Sequence, residues 1–159
     1  MKPDIQLIKE KFVLGQRYLN EVAQVLEHPL SEFLNDLGLQ LKAERLFEVL
    51  SQIILDVCTH IVSREKTTDP PKSYGDCMLL LEGLGVLDKK SGEGARFQNM
   101  IKMRNFIVHD YARVDNAIVF ESIKQLVADF SLYQKRVLAW LSPQPVTLDM
   151  LKKKKNKDE

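Results

Sequence analysis

Apolar residues recur at steps of three and four along most of the chain. Ile5, Ile8, Phe12, Leu19, Val22 and Leu26 form one such stripe, which predicts an amphipathic helix over about 5–27 with Asp4 as its N-cap. His28-Pro29 ends it. Leu39, Ala43, Leu46, Leu50, Ile53, Val57 and Ile61 predict a second helix over about 36–64. The run Thr67-Thr68-Asp69-Pro70-Pro71 cannot continue it, because proline lacks an N–H and restricts the residue before it. Ser73 followed by Asp76 resembles a capping box and opens a short helix through Cys77, Leu80, Leu81 and Leu84 that stops near Gly85. Ser91 to Gly94 reads as a flexible joint. A fourth helix carries Phe97, Met100, Ile101, Met103, Ile107 and Val108 and leads into His109-Asp110-Tyr111. From Asp115 as N-cap, Val119, Ile123, Leu126, Phe130, Tyr133, Val137 and Trp140 alternate steps of four and three to the neighbourhood of Pro143. With no internal repeat and no sustained strand alternation, the pattern predicts an all-α, up-and-down helical bundle of about four long helices, in two antiparallel pairs, plus one short helix.

Composition narrows this further. A chain of 159 residues and 18.3 kDa is one domain, assigned to residues 1–145, and only 7 Gly and 6 Pro make a turn-rich all-β fold a poor fit. The N-terminus, Met1-Lys2-Pro3-Asp4, lacks the apolar core of a signal peptide, and no run approaches the ~18 consecutive apolar residues of a membrane span. The expectation is a cytoplasmic protein with no membrane segment. Cys58 and Cys77 lie in apolar periodic segments, so reduced core thiols are expected. The formal net charge of +1 conceals a tail, Lys152 to Glu159, with five lysines and two acids. Residues 146–159 are therefore read as a lysine-rich disordered tail. The body that remains is mildly acidic, unlike a protein that holds nucleic acid by charge alone.

Most chemical signatures are absent. Cys58 and His60 are two residues apart and face about 200° away from each other on a helix, so they cannot chelate a metal from one face. There is no HExxH, CxxC or Walker A pattern, and no metal or cofactor is expected. His28, beside a proline, reads as a helix-end residue and His60 as a partly buried helix residue.

Residues 103–111, Met103-Arg104-Asn105-Phe106-Ile107-Val108-His109-Asp110-Tyr111, are different. They set Arg, Asn, His, Asp and Tyr into a helix otherwise devoted to packing, where polar groups need partners or a purpose. An arginine and a histidine five residues apart arise by chance in roughly one such chain in ten; requiring the adjacent Asn and the following Tyr lowers that more than a hundredfold. On an ideal helix Arg104 and His109 lie about 140° apart. Either the helix ends or distorts near His109, or a second copy of the chain completes the site across a two-fold axis. Tyr111 lies about 20° off the face of Arg104 if helical geometry persists.

The pattern Arg104-Asn105-x-x-x-His109-x-Tyr111 resembles the RX4HXY motif of the HepT-like branch of the HEPN (higher eukaryotes and prokaryotes nucleotide-binding) family. The likeness extends through Ala43-Glu44-Arg45, Ile54-Leu55-Asp56-Val57-Cys58-Thr59-His60-Ile61, Pro71-Lys72-Ser73-Tyr74, Leu84-Gly85-Val86-Leu87 and Val114-Asp115, over about residues 5–141. The resemblance implies a HEPN-like bundle acting as a metal-independent endoribonuclease, the toxin of a toxin–antitoxin pair. Arg104 and His109 would be catalytic, with Asn105 supporting them. The resemblance also favours a homodimer with RNA as substrate. Its partner would be a minimal nucleotidyltransferase (MntA-like) antitoxin that silences the toxin by transferring AMP to Tyr111. The residue types suit this chemistry. The 2′-hydroxyl of RNA is a built-in nucleophile, an imidazole can move protons near neutral pH, and a guanidinium fork can hold a phosphate as its negative charge grows. The alternative is a catalytically silent module of the same fold that binds a nucleotide or the transferase.

Overall fold

The computed structural model describes residues 2–65 and 70–142. Thr67, Thr68 and Asp69 of the expected loop, Pro143, and the lysine-rich segment 146–159 lie outside the described residues. Among the described residues six α-helices follow one another: α1 (Ile5–Leu26), α2 (Leu30–Phe33), α3 (Leu37–Arg64), α4 (Tyr74–Gly83), α5 (Glu93–His109) and α6 (Asn116–Leu141), with a 3-10 turn at Tyr111–Arg113. Three of them begin where the sequence places a cap, at Asp4, Ser73 and Asp115, and α3 gains a fourth cap at Asp36, where the sequence gives only an approximate start. The side chains of Asp4, Asp36, Ser73 and Asp115 accept hydrogen bonds from the backbone N–H groups of Leu7, Leu39, Asp76 and Ala117, which satisfies donors that a helix start would otherwise leave unpaired.

α3 is the central helix, against which α1, α4, α5 and α6 all pack. By length and composition alone it could cross a membrane, but most of its apolar side chains are buried in the core of the fold. Cross-helix pairs set the directions. Lys11 reaches Asp56 and Lys42 reaches Glu21, so α1 and α3 are antiparallel. Glu93 meets Arg136 and Asp129 meets Arg96, so α5 and α6 are antiparallel as well. α1 and α3 pack directly, as one of the two long pairs that the periodicity predicts; α5 packs chiefly on α4, and α6 on α3 and α1, so α5 and α6 are joined by long side chains rather than as a packed pair. In the core Tyr133 is fully buried, stacks near Phe12 and Phe97 with centroids 6.2 and 5.3 Å away, and donates its hydroxyl to the Ile54 carbonyl at 3.0 Å. Burial pushes its phenol well above the ordinary range, so it remains a donor throughout the physiological pH range.

The structure corrects the sequence reading in three further places. After His28-Pro29 ends α1, the chain makes one further short helix, α2, whose Phe33 is fully buried against Phe120 at 5.0 Å. A four-residue helix is too short to show a period. Ser91 to Gly94 is no joint: Gly92 turns the chain at a φ of 67°, a value that favours glycine, and α5 begins at once with Glu93. The Glu93 side chain is only 4% exposed, held by the Arg136 fork at 2.8–3.2 Å and by the Asp88 N–H at 2.8 Å. The Gly94 N–H donates to Glu82 at 2.8 Å, and Arg96 pairs with Asp129, so the first turn of α5 is fastened on two sides. Finally, Cys58 of α3 and Cys77 of α4 are joined by a disulfide, with Cα atoms 6.3 Å apart, rather than held as free thiols. The stripes place both sulfurs in the core, but only the packing of α4 on α3 sets them face to face.

α1 and α6 approach closely at Gly15, where a Cβ would enter the ring of the fully buried Phe130. Gly15→Ala is expected to cost about 1–2 kcal/mol, an overpacking penalty in the upper part of the usual range, about 2–3, less a helix-propensity gain of about 1. The melting temperature should fall by a few degrees; an unchanged or higher value in a thermal scan contradicts the close approach.

Candidate active site

The motif occupies the C-terminal half of α5 and the turn after it. The helix continues through His109, its last residue, and ends because Asp110 takes φ −132° and ψ 36°. The Asp110 N–H still donates to the Phe106 carbonyl at 2.9 Å, and Arg113 N–H to the Asp110 carbonyl at 2.9 Å, which closes the turn at 111–113. An ion pair between Asp110 and Arg113 at 3.8 Å lies across it. Because Arg104 and His109 both sit inside α5, the separation of about 140° holds. The helix does not distort to bring them to one face. Tyr111 lies beyond the helix end, so the offset of about 20° that continued helix would give does not apply. It is 74% exposed.

Arg104 is half-buried between α5 and α3. Its Nη2 donates to Gln52 Oε1 at 2.9 Å and its Nη1 to Asn105 Oδ1 at 3.1 Å. Its Nε is buried without a hydrogen-bond partner among the described residues. Gln52 Nε2 in turn donates to Asp56 Oδ1 at 2.8 Å, and Lys11 Nζ meets Asp56 Oδ2 at 2.9 Å. A polar chain therefore crosses from α1 through α3 to the motif arginine. Sequence reasoning missed Gln52; its only signal is an amide between the buried residues Ser51 and Ile53.

His109 is exposed and makes no hydrogen bond or ion pair among the described residues. Phe106, 39% exposed, lies on the same segment. Of the expected site residues, then, Arg104 and Asn105 are bonded to each other, while His109 and Tyr111 stand apart at the helix end and face solvent. The other two histidines have structural partners. His28 Nδ1 lies 3.0 Å from Glu32, and the His60 ring accepts the Asp4 backbone N–H at 2.8 Å. Among the described residues no group of three or more His, Cys, Asp or Glu side chains converges. Beside the motif, α5 and α6 leave a groove of about 370 Å³ whose walls include Phe47, Met100, Met103, Ser122 and Leu126.

The profile of a family described as ribonuclease HepT-like matches residues 16–137. The chain is 28% identical over 136 residues to a tRNA nuclease HepT of Aphanizomenon flos-aquae (strain 2012/KM1/D3), covering 85% of this chain and 90% of that protein. Among solved structures it resembles a tri-AMPylated HEPN toxin of Shewanella oneidensis in complex with MNT antitoxin, with a TM-score of 0.74 and 23% identity over 83% of this chain and 96% of that one. It also resembles YutE, a cytosolic protein of unknown function from Bacillus subtilis, with a TM-score of 0.72 and 21% identity over 91% of this chain and 98% of that one.

Proposed function

Since the chain belongs to the ribonuclease HepT-like family, we propose that it is the endoribonuclease toxin of a toxin–antitoxin pair, acting on RNA in the cytoplasm. The observation that carries this reading is the state of the motif: the fold holds Arg104 in place but consumes neither His109 nor Tyr111. Polar residues that a fold leaves unspent at the end of a well-anchored helix are available for a ligand.

Cleavage proceeds by attack of the 2′-oxygen on the adjacent phosphorus. The bond to the 5′-oxygen breaks, leaving a cyclic phosphate on one product and a hydroxyl on the other. His109 takes the 2′-hydroxyl proton or supplies one to the departing 5′-oxygen. Arg104 holds the phosphate oxygens as charge accumulates on them, with Asn105 steadying its fork. The step draws on the nucleophile built into RNA and uses no metal. Because one helix turns the two side chains about 140° apart, a homodimer with its motif helices α5 facing each other completes the site. Sedimentation at micromolar concentration should give the mass of a dimer, and a strictly monomeric species removes this part of the reading.

The purified protein, free of contaminating nuclease, should cut cellular RNA, tRNA included, and leave cyclic phosphate ends. A nucleotidyltransferase partner would silence it by adding AMP to Tyr111. If no RNA is cut, the catalytically silent module is the better description.

A further inference from the structure

Gln52 belongs to no recognised motif, yet Arg104 rests on it. Along the chain Lys11, Asp56, Gln52, Arg104, the formal charges run positive, negative, neutral, positive. Asp56 is already balanced by Lys11 at 2.9 Å, and the Gln52 amide stands between that carboxylate and the guanidinium, with bonds of 2.8 Å to one and 2.9 Å to the other. A carboxylate in place of this amide would engage the guanidinium in a two-pronged ion pair, the strongest arrangement open to arginine. An amide oxygen accepts one N–H and fixes the plane of the fork, but it carries no charge to cancel. Asn105 acts in the same way on the other terminal nitrogen, at 3.1 Å. Arg104 therefore uses two N–H donors, of the five a guanidinium owns, on neutral acceptors, and no carboxylate among the described residues pairs with it.

We propose that Gln52 is a positioning residue that orients Arg104 while insulating its charge from Asp56, so that the whole charge is available to a phosphodiester anion. The identity of that anion rests on the ribonuclease reading; the insulation does not. If Gln52 were only a packing contact between α3 and α5, Gln52→Glu, which preserves its size and its accepting oxygen, would change little.

The experiment uses the full-length protein labelled with nitrogen-15, and it follows the Arg104 Nε–H resonance as inorganic phosphate is added. Two variants are compared with wild type. Gln52→Glu adds a carboxylate beside Arg104, and Gln52→Glu combined with Asp56→Asn moves one closer without altering net charge. The second guards against a fold weakened by adjacent carboxylates. In both, the phosphate-induced shift should be lost and RNA cleavage should fall about 100-fold, the scale of losing one charge-stabilising group, while the melting temperature of the double variant stays within a few degrees of wild type. A double variant that responds to phosphate or cuts RNA as wild type does overturns the inference and leaves the ribonuclease reading standing. Wild type that responds to phosphate but cuts no RNA, with the response lost in the double variant, overturns the ribonuclease reading and upholds the inference.

Discussion

His109→Ala should lower the rate of RNA cleavage by about 10²–10⁴-fold, the usual contribution of a positioned general acid or base, with no change in fold. The side chain is exposed and has no polar partner among the described residues, so its removal costs no more than the ~0.5 kcal/mol typical of a surface substitution. Arg104→Ala should also lose about 10²–10³-fold, but it will not be thermally silent. It strips Gln52 of its donor, and the lost hydrogen bonds should cost about 1–2 kcal/mol. EDTA should leave wild-type cleavage unchanged. Either variant cutting as fast as wild type removes that residue from the catalytic centre, and cleavage abolished by EDTA and restored by Mg²⁺ removes the metal-independent mechanism.

Co-expression with a cognate nucleotidyltransferase should add AMP to Tyr111 and abolish cleavage. The phenol oxygen attacks the α-phosphorus of ATP, pyrophosphate departs, and each transfer adds about 329 Da. At 74% exposure Tyr111 can be reached by a second active site. Tyr133, fully buried and bonded to the Ile54 carbonyl, cannot. AMP placed on Tyr111 introduces bulk and negative charge at the end of the motif helix, where an RNA phosphate would otherwise approach. Tyr111→Phe should retain at least part of the nuclease activity and escape covalent silencing. Mass mapping that places the modification on Tyr74 instead, or a Tyr111→Phe protein still silenced covalently, overturns the assignment.

What could be read from the sequence was local. Each long helix announces itself by a period of three and four, and Asp4, Ser73 and Asp115 mark helix starts through short-range bonds that a linear string displays. The motif was legible for the same reason, since its four polar residues lie within eight positions. Contacts between distant parts of the chain were not. The Cys58–Cys77 bond depends on how α4 lies against α3, the burial of Glu93 depends on an arginine 43 residues away, and the grip of Gln52 on Arg104 spans 52 residues. No periodicity encodes such pairings. α2 escaped because its four residues cannot complete a recognisable stripe.

The uneven fastening of α5 has a kinetic consequence. Its first turn is held by Glu93 to Arg136, by Arg96 to Asp129 and by the Gly94 amide to Glu82, whereas its last turn ends in exposed His109 and an irregular residue at 110. Opening events that expose backbone amides to solvent are cheapest where few buried contacts hold the chain. Amide hydrogens of residues 97–101 should therefore exchange with deuterium orders of magnitude more slowly than those of residues 109–113. The segment carrying Tyr111 should open on a timescale far shorter than that of global unfolding, while the rest of the bundle stays shut.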